Sequence, residues 1–350
     1  SSSHTHSGPV LPEALSNIYP IDNEQEQKLK EYSLWLEDQI IDISIKSKNA
    51  IKPARIYAEN GVVRFQVNRR NNIESKISEL SELKGPNDFA VPVLKVVHQD
   101  EMPAAIIFGY ACHPTVLNGY LWSGDYPGFA QLELEEKFKG ATAMFFQGAG
   151  ADQNPLPRRT VALAKQYGLE LAAAVERVLS EDMRPLSPIL KSAYSEIDIK
   201  LDTLPSIEAL RKMNSEYSGY MKKWAAEILS KVENEEDIPE TYPYPVQVWQ
   251  LDDQLITILG GELLVEYAIK LKKTLGKDIF VIGYSNDLMA YIPSEIVLKE
   301  GGYEGETSQM VYGLPSKWKQ GIEQQILTEI IKMAQQHNMI KDKSFTDSLN

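Results

Sequence analysis

Ala104-Ala105-Ile106-Ile107-Phe108-Gly109-Tyr110 runs straight into Ala111-Cys112-His113-Pro114-Thr115. Seven uncharged residues in a row, with no polar alternation, read as a strand covered on both faces. Strands of that kind belong to layered folds in which helices or a second sheet close over each side. The neighbouring sequence agrees. Residues 91–97 read as another strand, joined to 104–110 through a polar turn at Asp100-Glu101. A helix follows at about 128–138, then a strand at 141–146, a glycine loop, and a helix at 161–180. The order gives an α/β class, with mixed β-sheet layers and flanking helices. Sheets of this class hold their ligands at strand C-terminal ends. His113, just past such an end, is therefore a candidate site residue. Its alternative reading is a capped core histidine.

Further out, residues 23–46 show Leu29, Leu36, Ile40 and Ile43 at helical spacing and read as a long amphipathic helix. Glu59-Asn60-Gly61 carries a tight-turn signature, so 54–58 and 62–67 are expected to form a hairpin. Residues 189–201 alternate as a strand, 206–233 read as one long charged helix, and 234–245 as an acidic, proline-rich loop. Asp252-Asp253 divides a second hairpin, 246–251 and 255–259. A helix at 262–274, a strand at 279–284 and a helix at about 317–336 complete the chain, with 339–350 as a polar tail.

The 350 residues are 43% hydrophobic and carry a net charge of −13. That is enough apolar sequence for a large core. The negative balance argues against a nucleic-acid partner and against electrostatic docking on anionic membranes. A single cysteine, Cys112, rules out an internal disulfide framework and a cysteine-based zinc site. No apolar run reaches membrane-spanning length.

The chemistry-bearing residues are few. The chain opens Ser1-Ser2-Ser3-His4-Thr5-His6-Ser7-Gly8-Pro9. In an extended segment His4 and His6 share a face, which suits a metal or acid/base cluster. A polar terminus is the other reading. Gln147-Gly148-Ala149-Gly150-Ala151-Asp152-Gln153-Asn154-Pro155 is a glycine loop after a strand. It has neither the Lys-Ser/Thr of a phosphate loop nor a dinucleotide spacing. It lets backbone amides approach a substrate, or it only turns the chain. In Gly260-Gly261-Glu262 the carboxylate can bind a metal or cap the next helix. Tyr291 and Tyr303 stand near strand-end loops, where packing is the ordinary role.

Taken in order, His-x-His-Ser-Gly-Pro, Asn68-Arg69, His113-Pro114-Thr115, the glycine loop with its Asp-x-x-Pro, Gly261-Glu262, and Asn286 through Tyr291 to Tyr303-Glu304-Gly305 resemble the catalytic domain of the neutral/alkaline ceramidase family. The likeness runs from residue 1 to about 338, so it implies one ceramidase-like catalytic domain over 1–338 that lacks its N-terminal segment. It implies a zinc amidase, with Zn²⁺ held by His4, His113, Glu262 and Tyr291, the metal site lying at strand C-terminal ends. By the same resemblance His6 moves a proton to the leaving amine, while Arg69 or Tyr303 stabilises the oxyanion. The implied activity is hydrolysis of a linear N-acyl amide. Another acylated compound (an N-acyl sugar, an ester or a lactone) is the alternative, and a non-catalytic relative is a third. The implied partner is a small or lipid-like acylated substrate. Family members are commonly exported, which places an export signal upstream of residue 1.

The sequence departs from the family at one place. Where the family usually has Gly-Asp-Val-Ser-Pro-Asn, this chain has Ala151-Asp152-Gln153-Asn154-Pro155-Leu156, and Arg158-Arg159 follow. Asp152, Asn154, Arg158 and Arg159 are thus expected on the substrate side. Two unpaired arginines there would favour a polar or anionic substrate.

Overall fold

The apolar run splits its side chains between two layers. In the strand Pro103–Tyr110, Ile106, Phe108 and Tyr110 turn to one side and pack with helices, while Ile107 turns to the other and faces a second sheet. The computed structural model describes residues 1–340 apart from 13–14, 16–17, 20 and 99–101. The turn expected at Asp100-Glu101 lies outside the described residues.

The elements run α1 (Asn23–Asn49), β1 (Arg55–Val62), β2 (Gln66–Asn68), β3 (Ala90–Val97), β4 (Pro103–Tyr110), α2 (Asp125–Lys137), β5 (Thr142–Gln147), β6 (Gln153–Pro155), α3 (Val161–Ser180), β7 (Arg184–Leu186) and β8 (Leu190–Lys200). Then come α4 (Ile207–Glu216), α5 (Gly219–Glu233), β9 (Thr241–Leu251), β10 (Gln254–Leu259), β11 (Glu262–Leu263), α6 (Val265–Leu275), β12 (Phe280–Ile282), β13 (Tyr291–Ile292), α7 (Glu295–Glu300), α8 (Ser308–Val311) and α9 (Ile322–Gln336). A π-helical turn, Tyr303–Thr307, leads into α8.

Two sheets carry the fold. One has strand order β5-β4-β3-β1-β7, the other β12-β10-β9-β8. Each is antiparallel except at one pair, β4 with β5 and β10 with β12. The sheets stack through a seam that includes Ala58, Phe146, Ile256, Ile258 and Phe280. Each fully buried Ile or Phe there contributes roughly 1.5–3 kcal/mol. Helices α2 and α3 cover the outer face of the first sheet, and α6 and α9 that of the second. The fold is therefore α/β, with mixed sheets between flanking helices.

Several local expectations are corrected. Residues 55–62 form one straight strand, β1, paired along its length with β3, so there is no hairpin at Glu59-Asn60-Gly61. Gly61 serves packing instead: a Cβ there would come within 2.8 Å of Val178 Cγ2 on α3. The charged stretch 206–233 is two helices, broken before Gly219, whose φ of 63° favours glycine. The acidic loop ends early, because β9 begins at Thr241 and includes Pro243 and Pro245. Its partner β10 ends at Leu259, opposite Val246. The prolines therefore sit where one side of the strand is still an edge. Met339, placed in the tail, is buried in the core of the second sheet.

Helix α1 forms for local reasons. Asp22 and Gln25 make a capping box, and Lys28–Glu24, Lys30–Glu26 and Lys46–Asp42 pair at i,i+4. None of its residues is buried, and Ile40 and Ile43 of its apolar set face solvent. Among the described residues, no helix is long and apolar enough to cross a membrane.

Candidate metal centre

The parallel pairs of the two sheets end at the same place. The Gly283 N–H donates to the Gln147 carbonyl at 3.0 Å, and Tyr284 N–H to Gly261 carbonyl at 3.0 Å, tying the ends of β5, β10 and β12 together. Beyond them β11 and β13 pair in parallel with Glu262 opposite Tyr291, so a short ladder sets these two side by side. His113 follows the end of β4. The glycine loop crosses so close to it that a Cβ on Gly150 would lie 2.4 Å from the Ala111 carbonyl carbon and the Cys112 nitrogen. Only glycine fits there. The reward is the Gly150 carbonyl, 2.9 Å from His113 Nδ1.

The N-terminal segment is tied across this centre. His6 N–H donates to the Pro114 carbonyl at 3.4 Å, Ser2 N–H to Tyr284 at 3.2 Å, and Ser123 N–H to Ser7 at 2.9 Å. Thr5 Oγ1 donates to the Ser123 carbonyl at 2.7 Å. His4 and Tyr284 hold positive φ, 60° and 53°. Backbone strain of this kind persists where surrounding contacts fix it, often at functional sites.

Five donor atoms meet here. His4 Nε2 lies 3.2 Å from His6 Nε2 and 3.4 Å from Glu262 Oε2. His113 Nε2 lies 3.0 Å from Glu262 Oε2 and 3.4 Å from the Tyr291 hydroxyl. The donor atoms of His4, His6 and His113 all fall within 4.8 Å of one another. Zinc bonds of about 2.0–2.1 Å place tetrahedral ligands roughly 3.3 Å apart. Three contacts in this set, His4–Glu262, His113–Glu262 and His113–Tyr291 at 3.4, 3.0 and 3.4 Å, match that spacing.

Protonation strengthens the fit. Facing a carbonyl, His113 Nδ1 must carry a hydrogen. Burial pushes the His113 pKa down to about 4, so the ring is neutral at neutral pH and Nε2 bears a lone pair. Burial opposes ionisation of Glu262, but His4 outweighs it and holds its carboxyl well below the usual range. Two lone pairs therefore face each other across 3.0 Å. A cation between them removes the repulsion. His6, the most solvent-open of the three histidines, is pushed down to about 3 by desolvation and then by His4 and His113.

Arg69 flanks the centre. It leaves the end of β2, and its Nη2 donates to the Tyr291 oxygen at 3.2 Å while Nε pairs with Glu304 at 2.7 Å. The Tyr303 ring stands 5.3 Å from that of Tyr291 and 5.7 Å from the Arg69 guanidinium carbon. Tyr303 is half open to solvent and its hydroxyl is pushed up to about 12, chiefly by burial.

Nearly all of the chain superposes on the neutral ceramidase from Pseudomonas aeruginosa. The TM-score is 0.67 over 97% of this chain, at 17% sequence identity. The chain has the neutral ceramidase fold. A second structure, of ceramidase complexed with C2, matches with a TM-score of 0.65 over 98% of the chain at 16% identity. This chain spans about three-fifths of the length of those two proteins, 61% and 62%. No family profile and no curated protein sequence matches it.

Within this ceramidase fold, the structure brings His4, His6, Arg69, His113, Glu262, Tyr291 and Tyr303 to one place. Asp152 is placed differently. It is fully buried, with Oδ2 accepting from Asn68 Nδ2 at 2.8 Å and Oδ1 from Val265 N–H at 3.1 Å. Its carbonyl accepts from Arg69 N–H at 2.8 Å, so it anchors the arginine's backbone. Asn154 is buried on β6, opposite Val67. Arg158 is paired: Nε and Nη2 contact Glu74 at 2.7 and 2.5 Å, and Nη1 donates to Thr115 Oγ1 at 3.0 Å. Arg159 Nη1 donates to the Thr115 carbonyl at 3.4 Å. With these partners the arginine pair no longer calls for an anionic substrate. The glycine loop likewise does more than turn the chain, since Gly150 sets the His113 tautomer.

Sequence reasoning missed three site residues. The Tyr284 ring lies tilted against His4, centroids 4.7 Å apart, and its hydroxyl lies 3.4 Å from Glu262 Oε2. Glu304 pairs with both Arg69 and Arg70. Tyr312 donates to Glu262 Oε1. Glu304 lay inside the Tyr-Glu-Gly motif and could have been read from it. Nothing in the sequence marks Tyr312.

Proposed function

We propose that this protein is a zinc-dependent hydrolase of a linear N-acyl amide, ceramidase-like in its chemistry. The observation that carries this reading is the convergence of His4, His113, Glu262 and Tyr291 at ligand spacing, with His6 and Arg69 beside them. These four residues would hold the metal. A divalent zinc bound there would polarise the amide carbonyl and lower the pKa of water to about 7.

The chain's own groups supply the rest. His6 Nε2, unprotonated at neutral pH, takes a proton from the attacking water and returns it to the leaving amine. Arg69, held by Glu304, points its charge at the Tyr291 oxygen and so at the side where the oxyanion grows. The Gly150 carbonyl keeps the His113 lone pair aimed inward. Near the catalytic segment, Tyr120, Leu121 and Trp122 stand fully or largely exposed, next to Ser123, which is bonded to Thr5 and Ser7. An uncharged aromatic rim suits a fatty acyl chain better than a sugar. Export from the cytoplasm belongs to the same reading.

The test is amine release from N-acyl amides of short, medium and long acyl chain, with zinc-loaded and chelated protein. Cleavage only by the loaded protein, rising with chain length, is the expected result. Full zinc loading with no amide cleaved at any length would reject the reading.

A further inference from the structure

Glu262 divides its two oxygens between different neighbours. Oε2 faces His113 at 3.0 Å and His4 at 3.4 Å, with the Tyr284 hydroxyl also at 3.4 Å. The histidine contacts are all to Oε2, whereas Oε1 accepts from the Tyr312 hydroxyl. Tyr312 follows α8, and its ring packs with Ala151, Leu264, Tyr291 and Val297. Those contacts come from the glycine loop, the β11–α6 junction, β13 and α7, so the hydroxyl is fixed from several sides. A tyrosine hydroxyl donates and a carboxylate oxygen accepts, so Tyr312 is the donor of this bond.

We infer that Tyr312 is a positioning residue that occupies Glu262 Oε1 and so leaves Oε2 alone as the metal-binding oxygen. The inference rests on the metal reading above and deepens it. A carboxylate free at both oxygens can rotate or chelate through both. One whose outer oxygen is held by a fixed O–H presents a single oxygen in one direction. Outer partners of ligating carboxylates typically account for 10–100-fold in metal affinity. The Tyr303–Tyr312 segment reinforces the arrangement, since Glu304 at its start holds Arg69 and Tyr312 at its end holds Glu262.

The experiment compares wild type with Tyr312→Phe, which removes one oxygen and keeps the ring. Zinc affinity is measured by competition with a chromophoric chelator. The visible spectrum of the cobalt-loaded protein reports ligand geometry, and the melting temperature of the metal-free protein reports the fold. The expected result is one tightly bound zinc in wild type and binding weaker by about 10–100-fold in Tyr312→Phe. The cobalt spectrum should change, and the metal-free melting temperature should move by no more than about 4 °C. Equal affinity and an unchanged spectrum would overturn the role of Tyr312 while leaving the metal site intact. No zinc binding by wild type would overturn the metal reading and this inference together. A metal-free variant that no longer folds would show that the hydroxyl holds the fold rather than the ligand, which also overturns it.

Discussion

Glu262→Gln is expected to empty the site and silence it together. The substitution keeps the side-chain shape, removes the charge and replaces one accepting oxygen by an NH2. Glu262 is 2% exposed, and its carboxylate is the sole anion facing both His4 and His113 among the contacts of this centre. The two imidazoles bring no negative charge, so without the carboxylate a dication would sit buried with no counter-charge, which is costly. Loss of an outer-sphere partner already costs 10–100-fold in affinity, so loss of this ligand should exceed about 100-fold. Amide cleavage should fall in step with bound metal. The measurement is metal per chain after dialysis against a competing chelator, alongside turnover. A Glu262→Gln protein that keeps its metal and its rate would remove Glu262 from the ligand set.

The second large effect separates binding from chemistry. His6→Ala should retain metal and lower turnover by roughly 10²–10⁴-fold, the usual contribution of a general acid/base. Its Nε2 lies 3.2 Å from His4 Nε2, on the solvent side of the cluster, with none of the contacts to Glu262 that His4 and His113 make. Because the loss lies in the chemical step, kcat should drop with little change in KM. If the variant instead sheds its metal, His4 and His6 have exchanged roles.

Much of the architecture was legible because it rests on short-range pattern. The unbroken apolar run of β4 announced a two-sided strand, and the α3 boundaries follow from the sequence periodicity around Thr160 and Ser180. Asn60-Gly61 misled because turn formation and close packing call for the same residue. Gly61 is small for the sake of α3, and no local signal tells the two uses apart. The loop prolines of 241–245 misled because a proline is compatible with a strand wherever one side is unpaired, and that depends on where β10 ends.

The site was legible as residue types and order but not as contacts. His4, His113, Glu262 and Tyr291 are separated by up to 287 residues, and their convergence is a property of the two sheets ending together. Arg158 looked unpaired because its partner, Glu74, lies 84 residues upstream. The Gly150 carbonyl that sets the His113 tautomer is a backbone group, which leaves no side-chain signature.

Anomalous X-ray scattering from crystals of the zinc-loaded protein, measured above and below the zinc absorption edge, tests the central claim most directly. One dominant zinc peak is expected, about 2.0–2.2 Å from a nitrogen of His4, a nitrogen of His113 and an oxygen of Glu262, with the Tyr291 oxygen completing the set. A loaded protein whose zinc lies away from these residues, or bound to His6 in place of His113 or Glu262, would contradict it.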